Sequence, residues 1–84
     1  MDLKEQFEAT IEKAKSLSSQ SNETLLELYS LYKQATVGDV EGDRPSGFDF
    51  RGAAKYDAWE KRRGMSSDEA KQAYIDLVDQ RAAG

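Results

Sequence analysis

Residues 38–49, with the sequence GDVEGDRPSGFD, limit most strongly what this chain can fold into. The segment holds three glycines and the only proline of the 84 residues. Glycine and proline disfavour a helix interior, and together with aspartate and serine they are typical of turns. Apolar residues on both sides of the segment recur at helical spacing instead. We therefore expect a loop of ordered turns at 38–49, between helical segments.

Two helical segments precede this loop. Asp2 can cap the first, and the serine-rich run SLSSQSN ends it, because serine and asparagine side chains compete for backbone hydrogen bonds. The second segment begins at Asn22 and Glu23 and runs to about Val37, before a glycine. The first segment has apolar residues at helical spacing: Leu3, Phe7, Ile11 and Ala14.

Two more helical segments follow the loop. Asp49 can cap the third, and Gly64 ends it after the basic run EKRR. Ser66 and Glu69 have the spacing of a capping box, which predicts the start of the fourth helix. One face of that helix is apolar: Ala70, Tyr74, Leu77 and Val78. No segment has the alternation of a strand, so the sequence predicts an all-α fold of four helices.

The composition narrows the classes of function. A length of 84 residues without low-complexity sequence predicts one domain, residues 1–84. The chain has no cysteine and no histidine. It therefore lacks disulfides, a thiol nucleophile, an imidazole base and the usual zinc ligands. We expect a protein that is not an enzyme, with no catalytic residues, no metal site and no cofactor.

The net charge and the hydropathy narrow the classes of function further. A net charge of −4 argues against general affinity for nucleic acid. The sequence has no apolar run long enough for a transmembrane helix or a signal segment, so we expect no stable membrane insertion. A cytoplasmic monomer is the expectation that follows from these features.

The second helix carries tyrosine and lysine at the margin of its apolar stripe. Tyr32 falls on one arc with the leucines, and Tyr29 and Lys33 lie one turn apart at its edge. One interpretation is a core helix whose tyrosines cover the core while the lysine extends to solvent. The other is a site for an anionic, aromatic and partly apolar ligand. The third helix adds three basic residues at spacings of four and seven on one predicted face: Arg51, Lys55 and Arg62. That face is either part of an anion-binding site or a solvated surface.

Several motifs resemble those of the acyl-CoA-binding protein family over residues 29–78. They are Y-x-x-Y-K-Q-A-T-x-G-D at 29–39, R-P at 44–45, D-F-x-G-x-A-K at 49–55, D-A-W at 57–59 and A-Y-I at 73–75. Phe7, Lys15 and Leu17 extend a weaker match through the first helix. Because the resemblance covers nearly the whole chain, we expect a small free-standing member and not a module of a larger enzyme.

The resemblance implies a four-helix bundle of up-down-down-up order, with a long crossover loop between helices 2 and 3. It also implies non-covalent binding of long-chain fatty acyl-CoA esters. The protein would act as an intracellular carrier or buffer of these esters in lipid metabolism, and enzymes that produce or consume acyl-CoA would be its partners.

The resemblance further assigns roles to individual residues. Tyr32 would stack on the adenine, and Tyr29, Lys33 and Lys55 would grip the ribose 3′-phosphate. The remaining assigned residues would complete the nucleotide and pantetheine contacts or line the same part of helix 2: Lys15, Ser30, Leu31, Arg51 and Tyr74.

Three positions depart from the family pattern, and two other function classes stay open. Arg51 stands where lysine is common, which keeps the charge but changes its geometry. Ala53 and Tyr56 stand where lysine and tryptophan are usual, which predicts weaker headgroup binding or a changed preference. We expect Trp59 to pack in the core between helices. One alternative is a bundle that holds a partner helix on its leucine–tyrosine face. The other is a helix-turn-helix nucleic-acid binder, suggested by EKRRGMSSDEAKQAY but disfavoured by the acidic balance.

Overall fold

The structure, a computed structural model, describes residues 1–83. Within that range it has four α-helices and no strand. They are α1 (Leu3–Ala14), α2 (Asn22–Thr36), α3 (Phe50–Glu60) and α4 (Ser67–Ala83). The predicted all-α fold of four helices, with a loop at 38–49, is therefore confirmed.

Side-chain caps begin the helices largely as the sequence indicates. Asp2 and Asp49 each accept from the backbone N–H three residues later, at 2.8 and 2.9 Å. Ser66 and Glu69 each accept from the other's backbone N–H at 3.1 Å, which is the reciprocal capping box. The cap of α2 is Ser21, whereas the sequence pattern places Ser21 inside the serine-rich break. Local spacing thus fixes where the helices start.

α3 ends earlier than predicted. Its last residue is Glu60, and residues 61–64 form a tighter turn in which the Arg62 N–H donates to the carbonyl three residues earlier at 2.9 Å. Such tight bonds satisfy carbonyls that a helix end leaves unpaired. Gly64 follows with a φ of 88°, in the left-handed region. Arg62 therefore lies outside the helix of Arg51 and Lys55, and the predicted basic series on one face is wrong.

The core lies where α1, α2 and α4 meet. α2 packs against both α3 and α4, while α1 packs against α4. Trp59 lies outside the buried cluster, so the expectation that it packs in the core is wrong. The buried apolar cluster consists of Phe7, Leu31, Ala35, Ala70, Tyr74, Ile75 and Val78. Burial of this cluster is the main favourable contribution to the stability of the fold.

α2 and α3 run parallel. Tyr29 of α2 contacts Lys55 of α3, and one turn further along both helices Lys33 contacts Trp59. Residue numbers on the two helices therefore rise together. Two parallel neighbours cannot be joined by a tight turn, because the chain must return to the starting end of the pair. Residues 37–49 make that return, so the predicted long crossover is present.

α1 and α4 also run parallel, and the central pair α2 and α4 runs antiparallel. The hydroxyl of Ser67, the first residue of α4, donates to the carbonyl of Ala35 near the end of α2 at 2.7 Å. α1 contacts α4 through Phe7 with Tyr74 and through Lys13 with Asp79, so residue numbers increase in the same direction on both helices. These directions give the up-down-down-up order that the resemblance implies.

The crossover is bonded to the side chains of α3. Arg44 in the crossover donates twice to the Asp57 carboxylate, at 2.8 and 3.0 Å. Two other α3 side chains donate to crossover carbonyls: Trp59 to Gly38 at 2.8 Å, and Tyr56 to Gly42 at 3.1 Å. Hydrogen bonds to three side chains of α3 therefore attach the crossover beside the α2–α3 pair.

Candidate functional site

A groove of about 440 Å³ lies between α2 and α3. Its lining comes from the first half of each helix: Asn22, Leu25, Leu26 and Tyr29 of α2, and Phe50, Arg51, Ala54 and Lys55 of α3. On each helix the lining residues recur at spacings of three and four, so they share one face. Three residues that the resemblance assigns to the ligand, Tyr29, Arg51 and Lys55, lie in this groove.

The groove leaves large apolar side chains open to solvent. Leu25 is 50% exposed and Phe50 is 73% exposed. Full burial of a side chain of this size contributes about 1.5–3 kcal/mol, and a chain this small has few such residues. Exposed apolar side chains that line a concave surface are typical of a ligand-binding site.

The helical pattern of the sequence does not reveal this apolar lining. Leu25 falls on the same helical arc as Leu31, so periodicity alone assigned both to the core. Phe50 directly follows the Asp49 cap, where the helix pattern has not yet begun. The exposure of both side chains depends on how α3 packs against α2, which no local pattern reveals.

Two lysines lie over aromatic rings across the α2–α3 contact. The Lys55 Nζ is 5.2 Å from the centroid of the Tyr29 ring, and the Lys33 Nζ is 5.1 Å from that of Trp59. Each lysine therefore contacts an aromatic residue of the other helix. Within residues 1–83 neither ammonium pairs with a carboxylate. Both positive charges are thus left available to an anion.

Tyr32 and Tyr74 lie together at the junction of α1, α2 and α4. Tyr32 is 40% exposed and stacks on Phe7, with ring centroids 6.2 Å apart. Phe7 also meets the buried Tyr74 edge to face at 5.2 Å. Burial raises the pKa of the Tyr74 phenol, with a smaller contribution from Tyr32, so Tyr74 stays neutral at physiological pH. The half-open Tyr32 ring can accept a stacked base.

Three other predicted site residues lie in different surroundings. Ser30 is 1% exposed, and its hydroxyl donates to the Glu27 carbonyl at 2.8 Å and accepts from the Arg62 Nε at 3.0 Å. Leu31 is 3% exposed and belongs to the core. Lys15 is exposed at the end of α1 and pairs with Glu12 at 3.1 Å. Ligand contacts by these three residues stay predictions.

A second groove of about 450 Å³ adjoins the first and shares the side chains of Leu26 and Ala54 with it. Its lining includes three carboxylates, Glu23, Glu27 and Asp57, against two cations, Lys61 and Arg62. The net negative charge and the carboxylates beside the cations disfavour an anionic ligand there. The first groove, whose lining includes two cations and no carboxylate, is therefore the better site for an anion with an apolar tail.

The residues described also bear on other kinds of site. No helix within residues 1–83 is long and apolar enough to cross a bilayer. No group of histidine, cysteine and acidic side chains in that range could hold a metal ion. The arginines of the predicted helix-turn-helix segment are bonded internally, Arg62 to Ser30 and Arg63 to the Val40 carbonyl at 3.3 Å. Both arginine side chains thus already have a partner within the fold.

Comparison with known proteins identifies the family. The family described as "Acyl CoA binding protein" matches residues 4–78. An acyl-CoA-binding protein of Brassica napus is 54% identical over 81 residues, which are 95% of this chain and 88% of that protein.

Comparison with solved structures gives the same family. The crystal structure of acyl-CoA-binding protein 2 of Oryza sativa superposes with a TM-score of 0.94 at 47% identity, over 98% of this chain and 92% of that one. An acyl-CoA-binding protein structure from Moniliophthora perniciosa gives 0.84 at 35% identity, over 100% and 86%. This chain belongs to the acyl-CoA-binding protein family.

Proposed function

We propose that this protein binds long-chain fatty acyl-CoA esters non-covalently and carries or buffers them inside the cell. The observation that carries the proposal is the α2–α3 groove, whose lining combines open apolar side chains with two cations, Arg51 and Lys55, that pair with no carboxylate within residues 1–83. An acyl-CoA has the matching chemistry, with an apolar tail at one end and a phosphorylated nucleotide at the other. Membership of the family supports the same assignment.

The acyl chain would occupy the apolar lining of the groove. Leu25, Leu26, Phe50 and Ala54 supply that lining from both helices. Each methylene taken out of water contributes about 0.8 kcal/mol. Much of the affinity would therefore come from the tail, while the groove imposes little chemical selectivity on it.

The nucleotide would provide the selectivity. The ammonium groups of Lys33 and Lys55 and the hydroxyl of Tyr29 would bind the 3′-phosphate through charge-assisted hydrogen bonds. The half-open ring of Tyr32 would stack on the adenine, a contact of roughly 1–3 kcal/mol per base. Arg51 in the groove wall would add a further positive charge near the ligand.

The remaining assigned residues would act at the margins of the site. The exposed Lys15 would exchange its pairing with Glu12 for a contact with the ligand. Ser30, Leu31 and Tyr74 are buried or nearly so, and they would act mainly by holding α2 and α4 in place around the ligand.

We propose that the protein binds its ligand without catalysing a reaction and acts as a monomer in the cytoplasm. Its partners would be enzymes that release or consume acyl-CoA. Neither groove places a nucleophile beside a base. The polar lining of the two grooves consists of charged side chains, one amide, one phenol and one serine. The hydroxyl of that serine already donates one hydrogen bond and accepts another.

Calorimetric titration with palmitoyl-CoA, free CoA and palmitate tests the proposal. Palmitoyl-CoA should bind far more tightly than either part alone, because only the whole ligand fills the groove and reaches the lysines. Free CoA serves as the control for the headgroup and palmitate as the control for the tail. Equal affinity for palmitate and palmitoyl-CoA would contradict the headgroup assignment.

A further inference from the structure

Trp59 forms a closed ring of three contacts with Lys33 and Gly38. The Lys33 Nζ lies 5.1 Å from the centroid of the Trp59 ring. The Trp59 Nε1 donates to the Gly38 carbonyl at 2.8 Å, and the Gly38 N–H donates to the Lys33 carbonyl at 3.2 Å. Lys33 is thus held at its backbone and at its ammonium by two residues that do not line the groove.

Each of these three contacts restricts a rotation that would otherwise be free. Gly38 has a φ of 102°, a conformation that side-chain-bearing residues rarely adopt, and this turn aims its carbonyl at the indole. The bond to that carbonyl fixes the rotation of the indole. The fixed ring then restricts the lysine, whose four-carbon stem would otherwise sample many rotamers.

We infer that Trp59 is a positioning residue for phosphate recognition, and that its ring holds the Lys33 ammonium where the 3′-phosphate of the ligand binds. The inference rests on the proposed function. An ammonium has three N–H donors, so contact with a ring on one side leaves donors for a phosphate on the other. A cation that is already ordered loses less side-chain entropy when the ligand binds.

The arrangement also explains why the crossover is bonded so closely to α3. The Gly38 carbonyl belongs to the crossover, so the loop that connects the two parallel helices also orients a ligand-binding lysine. Tyr56 bonds the same crossover at Gly42, but within residues 1–83 no lysine ammonium lies over its ring. Tyr56 therefore provides a matched control for an effect that acts on the loop alone.

The test is the ratio of two dissociation constants, that of 3′-dephospho-palmitoyl-CoA divided by that of palmitoyl-CoA. Trp59→Leu removes the aromatic face, and the ratio should fall about two- to five-fold, the factor that corresponds to an exposed cation–π contact. Trp59→Phe keeps a face and should recover most of the ratio. Tyr56→Phe should leave the ratio unchanged, because it removes only a loop bond.

An unchanged or larger ratio in a folded Trp59→Leu protein would overturn the inference, since a purely structural role lowers affinity for both ligands alike.

If circular dichroism shows that this variant does not fold, proton NMR of the unaltered protein decides. The Lys33 ε-methylene protons should resonate upfield of those of Lys61 because of the indole ring current, both free and with palmitoyl-CoA. Loss of that shift on binding would overturn the inference. Absence of palmitoyl-CoA binding to the unaltered protein would overturn the proposed function as well.

Discussion

Removal of the Lys55 ammonium should weaken ligand binding much more than it weakens the fold. Its Nζ lies 5.2 Å from the Tyr29 ring centroid, and within residues 1–83 it pairs with no carboxylate. The cost of Lys55→Ala to the free energy of unfolding is therefore that of one exposed cation–π contact, about 0.5–1 kcal/mol. The lost bond to a ligand phosphate costs about 1.5–3 kcal/mol. The dissociation constant for palmitoyl-CoA should rise roughly 10- to 150-fold.

Calorimetric titration of the parent and of Lys55→Ala, each with palmitoyl-CoA and 3′-dephospho-palmitoyl-CoA, separates a direct phosphate contact from a general effect. The loss should appear with the intact ligand and largely vanish with the dephospho ligand, which is the non-additivity expected of a direct contact. Lys61→Ala removes a cation that lines the second groove and is the matched control. It should change neither affinity. A Lys55→Ala loss of equal size with both ligands would refute the phosphate contact.

Three further predictions concern stability. Saturating palmitoyl-CoA should raise the melting temperature in a calorimetric scan, because the unfolded chain has no binding site, and an unchanged temperature would contradict the site. Ser66→Ala should lower the free energy of unfolding in urea by about 0.5–2 kcal/mol by removing the capping box, whereas Ser18→Ala, in the α1–α2 linker, should not. Acid titration should destabilise the fold below about pH 4.5. Three carboxyl groups have a lowered pKa in the folded protein because each accepts a hydrogen bond: Asp39 from Gly64, Asp57 from Arg44 and Glu69 from Ser66. The stabilisation that these carboxylates provide is present above their pKa values in the unfolded chain. It is lost as the pH falls through their lowered pKa values in the folded protein. Asp57→Asn and Glu69→Gln should flatten that acid dependence, and a profile identical to the parent would contradict it.

The features that the sequence predicted are those that depend on nearby residues. The caps at Asp2, Asp49 and Ser66 were predictable because each involves groups three residues apart. The placement of Tyr29 and Lys33 at one edge of α2 follows from the helical repeat in the same way. Both are consequences of local geometry and need no knowledge of the neighbouring helices.

Features that depend on distant residues were not predictable. The Gly64 N–H donates to the Asp39 carboxylate at 2.9 Å, and the local pattern that predicts a stop at Gly64 does not indicate this partner far away in the chain. Leu25 and Leu31 lie on one helical arc, yet one is half exposed and the other is buried. Periodicity identifies the face of a helix but not which neighbour covers each part of it. The apolar lining of the groove could therefore be found only from the fold.

The most direct test of the account is the map of backbone amide shifts in an ¹⁵N–¹H NMR titration with palmitoyl-CoA. Saturating ligand should shift the amides of the groove lining, with Leu25, Tyr29 and Lys55 among the largest changes. The amides of Gln72 and Asp76, whose exposed side chains bond to each other on α4 at 2.9 Å, should stay in place. Changes concentrated on α4 or on the acidic second groove, with the α2–α3 groove unaffected, would contradict the assignment of this groove as the acyl-CoA site.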